Sequence, residues 1–219
     1  MTKAIKSVNE LYNEIFMNSP RRLEMTVPNN LGTGTAYRTV TKKGIILSTL
    51  YMKFFDDIDF TQTNSDGFVY IWFCFGEGIT WSMNGQICSL KKGQSCIYIG
   101  SSEEEISHYE RDKEYYLRCI KMPASYFWYL INRYFEWNEV SVYATLVGKD
   151  PIYVDITFQM EDIFRQLREY KQYQSGLGFM YLESKIHELI ALYLVDVFKV
   201  NINSFGRGVE NAETFDVMM

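Results

Sequence analysis

The sequence predicts a chain of mainly β plus α class, a β-barrel followed by an αα-hairpin. Three observations carry this reading. From Thr35 to Met122, short apolar-rich segments alternate with turn residues, giving roughly seven or eight strands, the spacing of a barrel or sandwich. Asn84-Gly85 separates Ile79–Met83 from Gln86–Leu90, and no short-range hairpin signal is stronger than Asn-Gly between apolar strands. Beyond Pro123 the apolar residues recur at a helical period instead.

Taken in order, Lys6–Met17 reads as a short helix with Val8, Leu11, Tyr12, Ile15 and Phe16 on one face, ended by Asn18-Ser19-Pro20. Pro28–Thr35 is loop-like. Strands follow over Thr35–Tyr51, broken at Lys42-Lys43-Gly44, and over Phe54–Thr63, interrupted at Asp56-Asp57. Asn64-Ser65-Asp66-Gly67 is a turn. From Phe68 to Phe75 both alternating sets are apolar, so this strand is expected to be central and covered on both faces. A type I′ turn at Asn84-Gly85 then fixes the hairpin register. Met83 faces Gln86, Ser82 faces Ile87, Trp81 faces Cys88, Thr80 faces Ser89 and Ile79 faces Leu90. Opposed residues share a face, so Ile79, Trp81, Met83, Cys88 and Leu90 point to a core, while Thr80, Ser82 and Ser89 point mostly to water. Lys91-Lys92-Gly93 turns the chain into Ser95–Ile99. Ser101–Glu105 reads as an acidic loop and Tyr115–Met122 as the last strand.

Pro123 suits a first helical turn, and Phe127, Leu130, Ile131, Tyr134 and Phe135 continue that helix. Ser141–Val154 is irregular. From Asp155 or Thr157, either a good N-cap, Met160, Ile163, Phe164, Leu167 and Tyr170 form one stripe. Ser175-Gly176-Leu177-Gly178 is expected to break the chain before a longer helix from Phe179 to about Lys199. That helix carries two stripes. One is Leu182, Ile186, Leu189, Tyr193 and Val197; beside it run Ile190, Leu194 and Phe198. A helix docks on its own domain with one stripe, so the other reads as a partner surface. Leu182, Ile186, Leu189, Ile190, Tyr193 and Leu194 are the candidate homodimer residues. The expected division is 1–122 for the barrel with its N-terminal helix, 123–200 for the helical region, and 201–219 for a flexible tail or linker.

Composition narrows the function. The chain has 219 residues, a net charge of −5 and abundant apolar residues, enough for a sizeable core. The acidic balance argues against a nucleic-acid surface built into it. Nothing in Met1–Phe16 resembles a signal peptide, and the longest apolar run, Leu189–Val195, is far too short to cross a bilayer. The four cysteines, Cys74, Cys88, Cys96 and Cys119, lie in apolar strands without close pairing. They read as reduced core thiols, which points to the cytoplasm.

Catalytic and metal chemistry find little support. Only His108 and His187 occur, the latter one turn after Glu183 as for a surface ion pair. No zinc spacing, nucleophile elbow or phosphate loop is present, so no metal, cofactor or catalytic residue is assigned. Glu103-Glu104-Glu105 reads as a solvated loop. The aromatics allow two readings: simple core filling, or the wall of a small-molecule pocket, because Trp and Tyr bring a polar tip as well as area. The pocket reading nominates Trp81, Trp72, Tyr98 and Tyr70, with Met83 and Cys88, around a small, largely apolar or aromatic ligand. The Asn-Gly turn fixes the phase of Trp81, whereas no turn fixes that of Trp72 or Tyr98.

Two segments resemble a known family. Phe73-Cys74-Phe75-Gly76-Glu77-Gly78, with Met83-Asn84-Gly85-Gln86 and Leu90-Lys91-Lys92-Gly93-Gln94, is similar to the cupin-like effector barrel of AraC-type transcriptional regulators. Tyr181-Leu182-Glu183-Ser184-Lys185-Ile186-His187-Glu188-Leu189-Ile190-Ala191-Leu192 resembles the helix of the subgroup similar to the pyochelin regulator. The resemblance implies a cupin-like barrel that holds an effector, a helical hairpin that mediates dimerisation, and DNA contact only through a helix-turn-helix half. That half is not found here, as for a truncated sensory domain or a natural variant without it. The resulting expectation is a non-enzymatic regulatory domain that binds a small molecule in a metal-free barrel and dimerises, away from membranes. The alternatives are a stand-alone metal-free cupin enzyme such as an isomerase, which needs an ionisable group inside the barrel, or a protein-interaction module with no cavity.

Overall fold

The computed structural model describes residues 2–4, 10, 15, 22–63, 67–83, 85–100, 104–134, 150–169 and 175–209. The chain divides into two units, Met1–Asp155 and Ile156–Met219. The first contains β1 (Thr2–Ala4), β2 (Arg22–Thr26), β3 (Gly32–Val40), β4 (Ile46–Phe54), β5 (Ile58–Thr63), β6 (Phe68–Cys74), β7 (Ile79–Met83), β8 (Gln86–Leu90), β9 (Gln94–Ile99), β10 (Glu104–Tyr109), β11 (Glu114–Pro123), α1 (Ala124–Tyr134) and β12 (Ile152–Asp155). The second contains α2 (Phe158–Glu169) and α3 (Ser175–Val209). This is the mainly β plus α class expected. Of the N-terminal helix expected over Lys6–Met17, only Glu10 and Ile15 are described, both helical; its other residues lie outside the described ones.

The strands form an eight-stranded sheet, β1-β2-β3-β4-β11-β6-β9-β12, and a four-stranded sheet, β5-β10-β7-β8. Every pairing is antiparallel except β1 with β2. The β7–β8 hairpin has the register the Asn-Gly turn dictates, from Met83 opposite Gln86 to Ile79 opposite Leu90. Gly85 takes φ 73°, the positive value such a turn needs. Ile79, Trp81, Met83, Cys88 and Leu90 are buried, whereas Ile87 on the opposite face is 85% exposed.

One apolar core joins the facing sheets. Met25, Leu50, Met52, Tyr70, Trp72, Cys74, Tyr98 and Leu117 enter it from the larger sheet, and Phe60, Ile79, Trp81, Met83, Leu90 and Tyr109 from the smaller. β6 lies between β11 and β9, and Val69 through Cys74 are all buried. Tyr70, Trp72 and Cys74 face this core. Val69, Ile71 and Phe73 face the other way, where α1 packs on β6 and β11 and buries Phe127 and Ile131. The doubly apolar pattern of β6 thus reflects cover on both faces.

Four strands, β1, β2, β10 and β12, were not legible as such. β2, β10 and β12 all pair in full with neighbours, but Arg22–Thr26, Glu104–Tyr109 and Ile152–Asp155 carry weak patterns. The expected Ser101–Glu105 loop is corrected in part: Glu104 and Glu105 belong to β10, while 101–103 lie outside the described residues. Most of the irregular stretch expected over Ser141–Val154 also lies outside them.

In the second unit, Thr157 caps α2, its Oγ1 accepting from the Met160 amide at 3.4 Å. α2 packs on α3 and buries Met160, Ile163, Phe164 and Leu167. α3 starts at Ser175, earlier than the break expected there, and runs to Val209, past the end expected near Lys199. Gly176 sits in its first turn with open space around it. The expectation of an outward apolar stripe is corrected as well. Leu182, Ile186, Leu189, Ile190, Tyr193 and Leu194 are all buried within this chain, none more than 3% exposed. Ile190 and Leu194 of the second stripe are thus buried beside the first. Among the described residues no helix is long and apolar enough to cross a membrane.

Gly34 and Gly85 separate two reasons for glycine. Both have positive φ, 134° and 73°. A Cβ at Gly34 would lie 1.9 Å from the Tyr51 carbonyl oxygen, while one at Gly85 meets nothing. Gly85→Ala is expected to cost about 1–2 kcal/mol through backbone strain alone, and Gly34→Ala about 3 kcal/mol or more because the strands must also part. Urea denaturation checks this; equal costs would refute the close approach at Gly34.

Candidate functional site

A cavity lies between the inner faces of the two sheets. Its walls are Trp72 of β6, Ile79 and Trp81 of β7, Leu90 of β8, Tyr98 of β9, and Glu105 and Ser107 of β10. The hairpin register places Ile79, Trp81 and Leu90 there. The antiparallel pairing of β10 with β7 sets Ser107 opposite Trp81, so Ser107 shares its face and Glu105, two residues away, follows. The space, partly open, is about 20 Å³, room for one or two waters.

The aromatic wall is ordered by specific contacts. Trp72 Nε1 donates to Tyr98 Oη at 3.2 Å. The Tyr98 ring stacks on Tyr70 with centroids 5.4 Å apart, and on Trp81 at 6.3 Å. Burial pushes the Tyr98 phenol well above its ordinary range, and the negative charge of Glu105 pushes it further; the Trp72 hydrogen bond opposes this. Tyr98 is therefore neutral at physiological pH, a hydroxyl that accepts from Trp72 and can still donate. Trp81 Nε1 is buried with no hydrogen-bond partner among the described residues. Glu105 is 1% exposed and Ser107 6%.

The thiols nearby are not nucleophiles. All four cysteines are free and buried. Burial pushes Cys74 up to about 11 and raises Cys88, Cys96 and Cys119, so each stays a thiol at neutral pH. Among the described residues no group of three His, Cys, Asp or Glu could hold a metal ion.

Of the residues nominated from sequence, Trp81, Trp72 and Tyr98 border the cavity. Tyr70, Met83 and Cys88 lie in the same core without bordering it. Glu105 and Ser107 were not nominated. Periodicity pointed the wrong way in β10, because its polar residues Glu105 and Ser107 face inward while Ile106 is 39% exposed. Only the pairing with β7 reveals the orientation.

A family model described as "Regulatory protein PchR N-terminal domain" matches residues 33–201. No curated protein matches the chain significantly. Solved structures similar to it include the AraC-like transcriptional activator CuxR, 5% identical, aligned over 86% of this chain and 66% of that one, with a TM-score of 0.49. The Cupin_2 domain of an XRE family transcriptional regulator from Enterobacter cloacae is 8% identical over 36% of this chain and 80% of that one, with a TM-score of 0.31. A cupin protein from Bacteroides fragilis is 14% identical over 36% of this chain and 66% of that one, also at 0.31. The chain thus spans just under two thirds of CuxR.

The two cavity tryptophans should differ in what they hold. Both lose ring area on substitution by Phe, but only Trp72 leaves a buried hydroxyl, that of Tyr98, without its donor. Trp72→Phe is expected to cost about 1–3 kcal/mol more than Trp81→Phe. Urea unfolding of both variants measures the difference; equal costs would show that the Trp72–Tyr98 bond contributes nothing.

Proposed function

This chain belongs to the regulatory protein PchR N-terminal domain family, the regulatory part of AraC-type regulators, and from that premise we propose that it senses a small molecule in its inter-sheet cavity and dimerises. The cavity carries the reading. Polar groups from both sheets, Tyr98, Glu105 and Ser107, converge on one space walled by aromatics, the arrangement of a ligand site. The space must widen to take an effector. Of the two wall tryptophans Trp81 is the cheaper to displace, because its Nε1 leaves no hydrogen bond behind among the described residues, whereas that of Trp72 donates to Tyr98. No metal enters this reading. DNA is contacted through a helix-turn-helix region that belongs to the whole regulator.

Dimerisation follows from the same resemblance, through a surface other than the buried stripes. Among the described side chains of α3, Leu177, Met180 and Val195 are large, apolar and exposed, at 67%, 67% and 49%. Leu177 and Val195 are 18 residues apart, about five turns and so on one face. A second copy meeting this face would have two-fold symmetry.

One observation favours the enzymatic alternative. It requires an ionisable group inside the barrel, and Glu105 is one. A receptor leaves its ligand unchanged, whereas a catalyst consumes it, and an NMR time course of any ligand that binds distinguishes them.

Two measurements test the main reading. In a metabolite screen, one compound at a hundredfold excess over its Kd should stabilise the fold by about 3 kcal/mol, read as a rise in Tm. Ser107→Val, which fills the cavity, should abolish that rise. A rise that survives Ser107→Val would place the effector elsewhere. By light scattering the chain should be a dimer and Val195→Glu a folded monomer, since a charge would be desolvated there unpaired. A monomeric parent chain would refute the dimer.

A further inference from the structure

Two buried donors border the cavity without an acceptor among the described residues. Trp81 Nε1 is buried and has no hydrogen-bond partner there. An indole nitrogen can only donate. Tyr98, 2% exposed, receives the hydrogen bond from Trp72 Nε1 at 3.2 Å, so its oxygen is the acceptor and its own proton is directed elsewhere. No described residue takes that proton. The two rings lie side by side, 28° from parallel, with centroids 6.3 Å apart. Ser107, opposite Trp81 in the β10–β7 pairing, adds a hydroxyl to the same wall. Glu105 also borders the space, but it interacts within the chain and is no part of this donor set.

A buried donor without an acceptor is costly, so the wall favours a ligand atom that accepts. An oxygen with two lone pairs, as in a carbonyl, can take both protons at once. A ligand that brings only donors leaves both unpaired. A charged oxygen fits less well than a neutral one. Burial is the first cause that holds the Tyr98 phenol in its neutral form, and the same loss of water penalises an anion placed beside it. Space of about 20 Å³ admits one such oxygen and little else, so the rest of the molecule stays outside it. Trp81 is also the wall tryptophan cheaper to displace, and its ring can turn Nε1 toward an incoming group.

We propose that this cavity receives the neutral carbonyl oxygen of a small organic ligand, an amide, ester or ketone, which accepts from Trp81 Nε1 and Tyr98 Oη. The inference rests on the cavity being the sensing site and names the chemical class it senses. Ser107 Oγ supplies a further donor. Trp72 keeps its bond to Tyr98 and so holds that hydroxyl in place. The body of the ligand extends past Trp81, the ring that moves.

N,N-Dimethylformamide is the probe, because its carbonyl accepts and it has no polar hydrogen to donate. It is titrated into the full chain carrying isotopically labelled indole nitrogens, and the indole N–H signals are followed by NMR. The chain has four tryptophans, and Trp81→Phe identifies the signal of Trp81. Sodium acetate is the anionic counterpart and methylammonium chloride the one that only donates. A saturable downfield shift of the Trp81 N–H with dimethylformamide alone is expected. Trp81→Phe should weaken binding about two- to tenfold, followed on the Trp72 signal, and Ser107→Val should abolish it. Tm values report whether the variants fold, and the selectivity among probes stands on the parent chain alone. Saturation by dimethylformamide that leaves the Trp81 signal in place, or that is equally tight in Trp81→Phe, would overturn the proposal. If acetate or methylammonium saturates instead, and Ser107→Val abolishes it, the sensing cavity stands and the neutral carbonyl class falls. If none of the three saturates, both fall.

Discussion

The hairpin register at Asn84-Gly85 is the constraint on which the rest depends. Strand side chains alternate with a period of two, so a slip of one residue would turn Trp81, Met83 and Leu90 to water and bring Thr80 and Ser82 into the core. The register passes on through pairing. β10 takes its face from β7, with Ser107 opposite Trp81, and β5 takes its face from β10, with Phe60 opposite Ser107. One turn thereby orients the whole four-stranded sheet and all of the cavity wall that comes from it.

Facing it, the larger sheet supplies a row of aromatics whose positions are fixed by strand pairing. Tyr70 lies opposite Tyr98 and Trp72 opposite Cys96. The Trp72–Tyr98 hydrogen bond ties β6 to β9 through side chains as well as backbone. Charge within this core is placed with compensation. Lys121 lies over two aromatic rings, a contact that offsets part of the cost of its burial, and burial lowers its proton affinity accordingly. Glu105 is buried on the smaller sheet and borders the inter-sheet cavity. A space of this kind lets a core change shape at lower cost than full packing does.

The helical unit follows a different logic. α3 buries residues on two adjacent stripes within the chain, including both Leu189 and Ile190. Among its described side chains, Leu177, Met180 and Val195 stay in water and are separated by Ser184, Glu188 and Ala191. A sparse face of this kind suits an interface that forms between already folded subunits, rather than one that completes their cores.

By itself the sequence determined the class of fold, the β7–β8 register, the burial of β6 on both faces, and the buried stripe of α2 with Thr157 as one of two candidate caps. Each of these is set by local chemistry: positive φ at Gly85, the period of apolar residues, a side-chain oxygen at Thr157 within reach of the Met160 amide. Three cavity residues, Trp72, Trp81 and Tyr98, were legible as aromatics on strands. Tertiary structure decided what those strands enclose. Glu105 lies inside because β10 must pair with β7 in one register, although its own alternation of Glu, Ile and Ser argues the reverse. Likewise, whether the second stripe of α3 meets water or protein depends on neighbours distant in sequence, which no period along one helix can report. Local rules say which residues share a face; only the packing of one face against another says what that face is for.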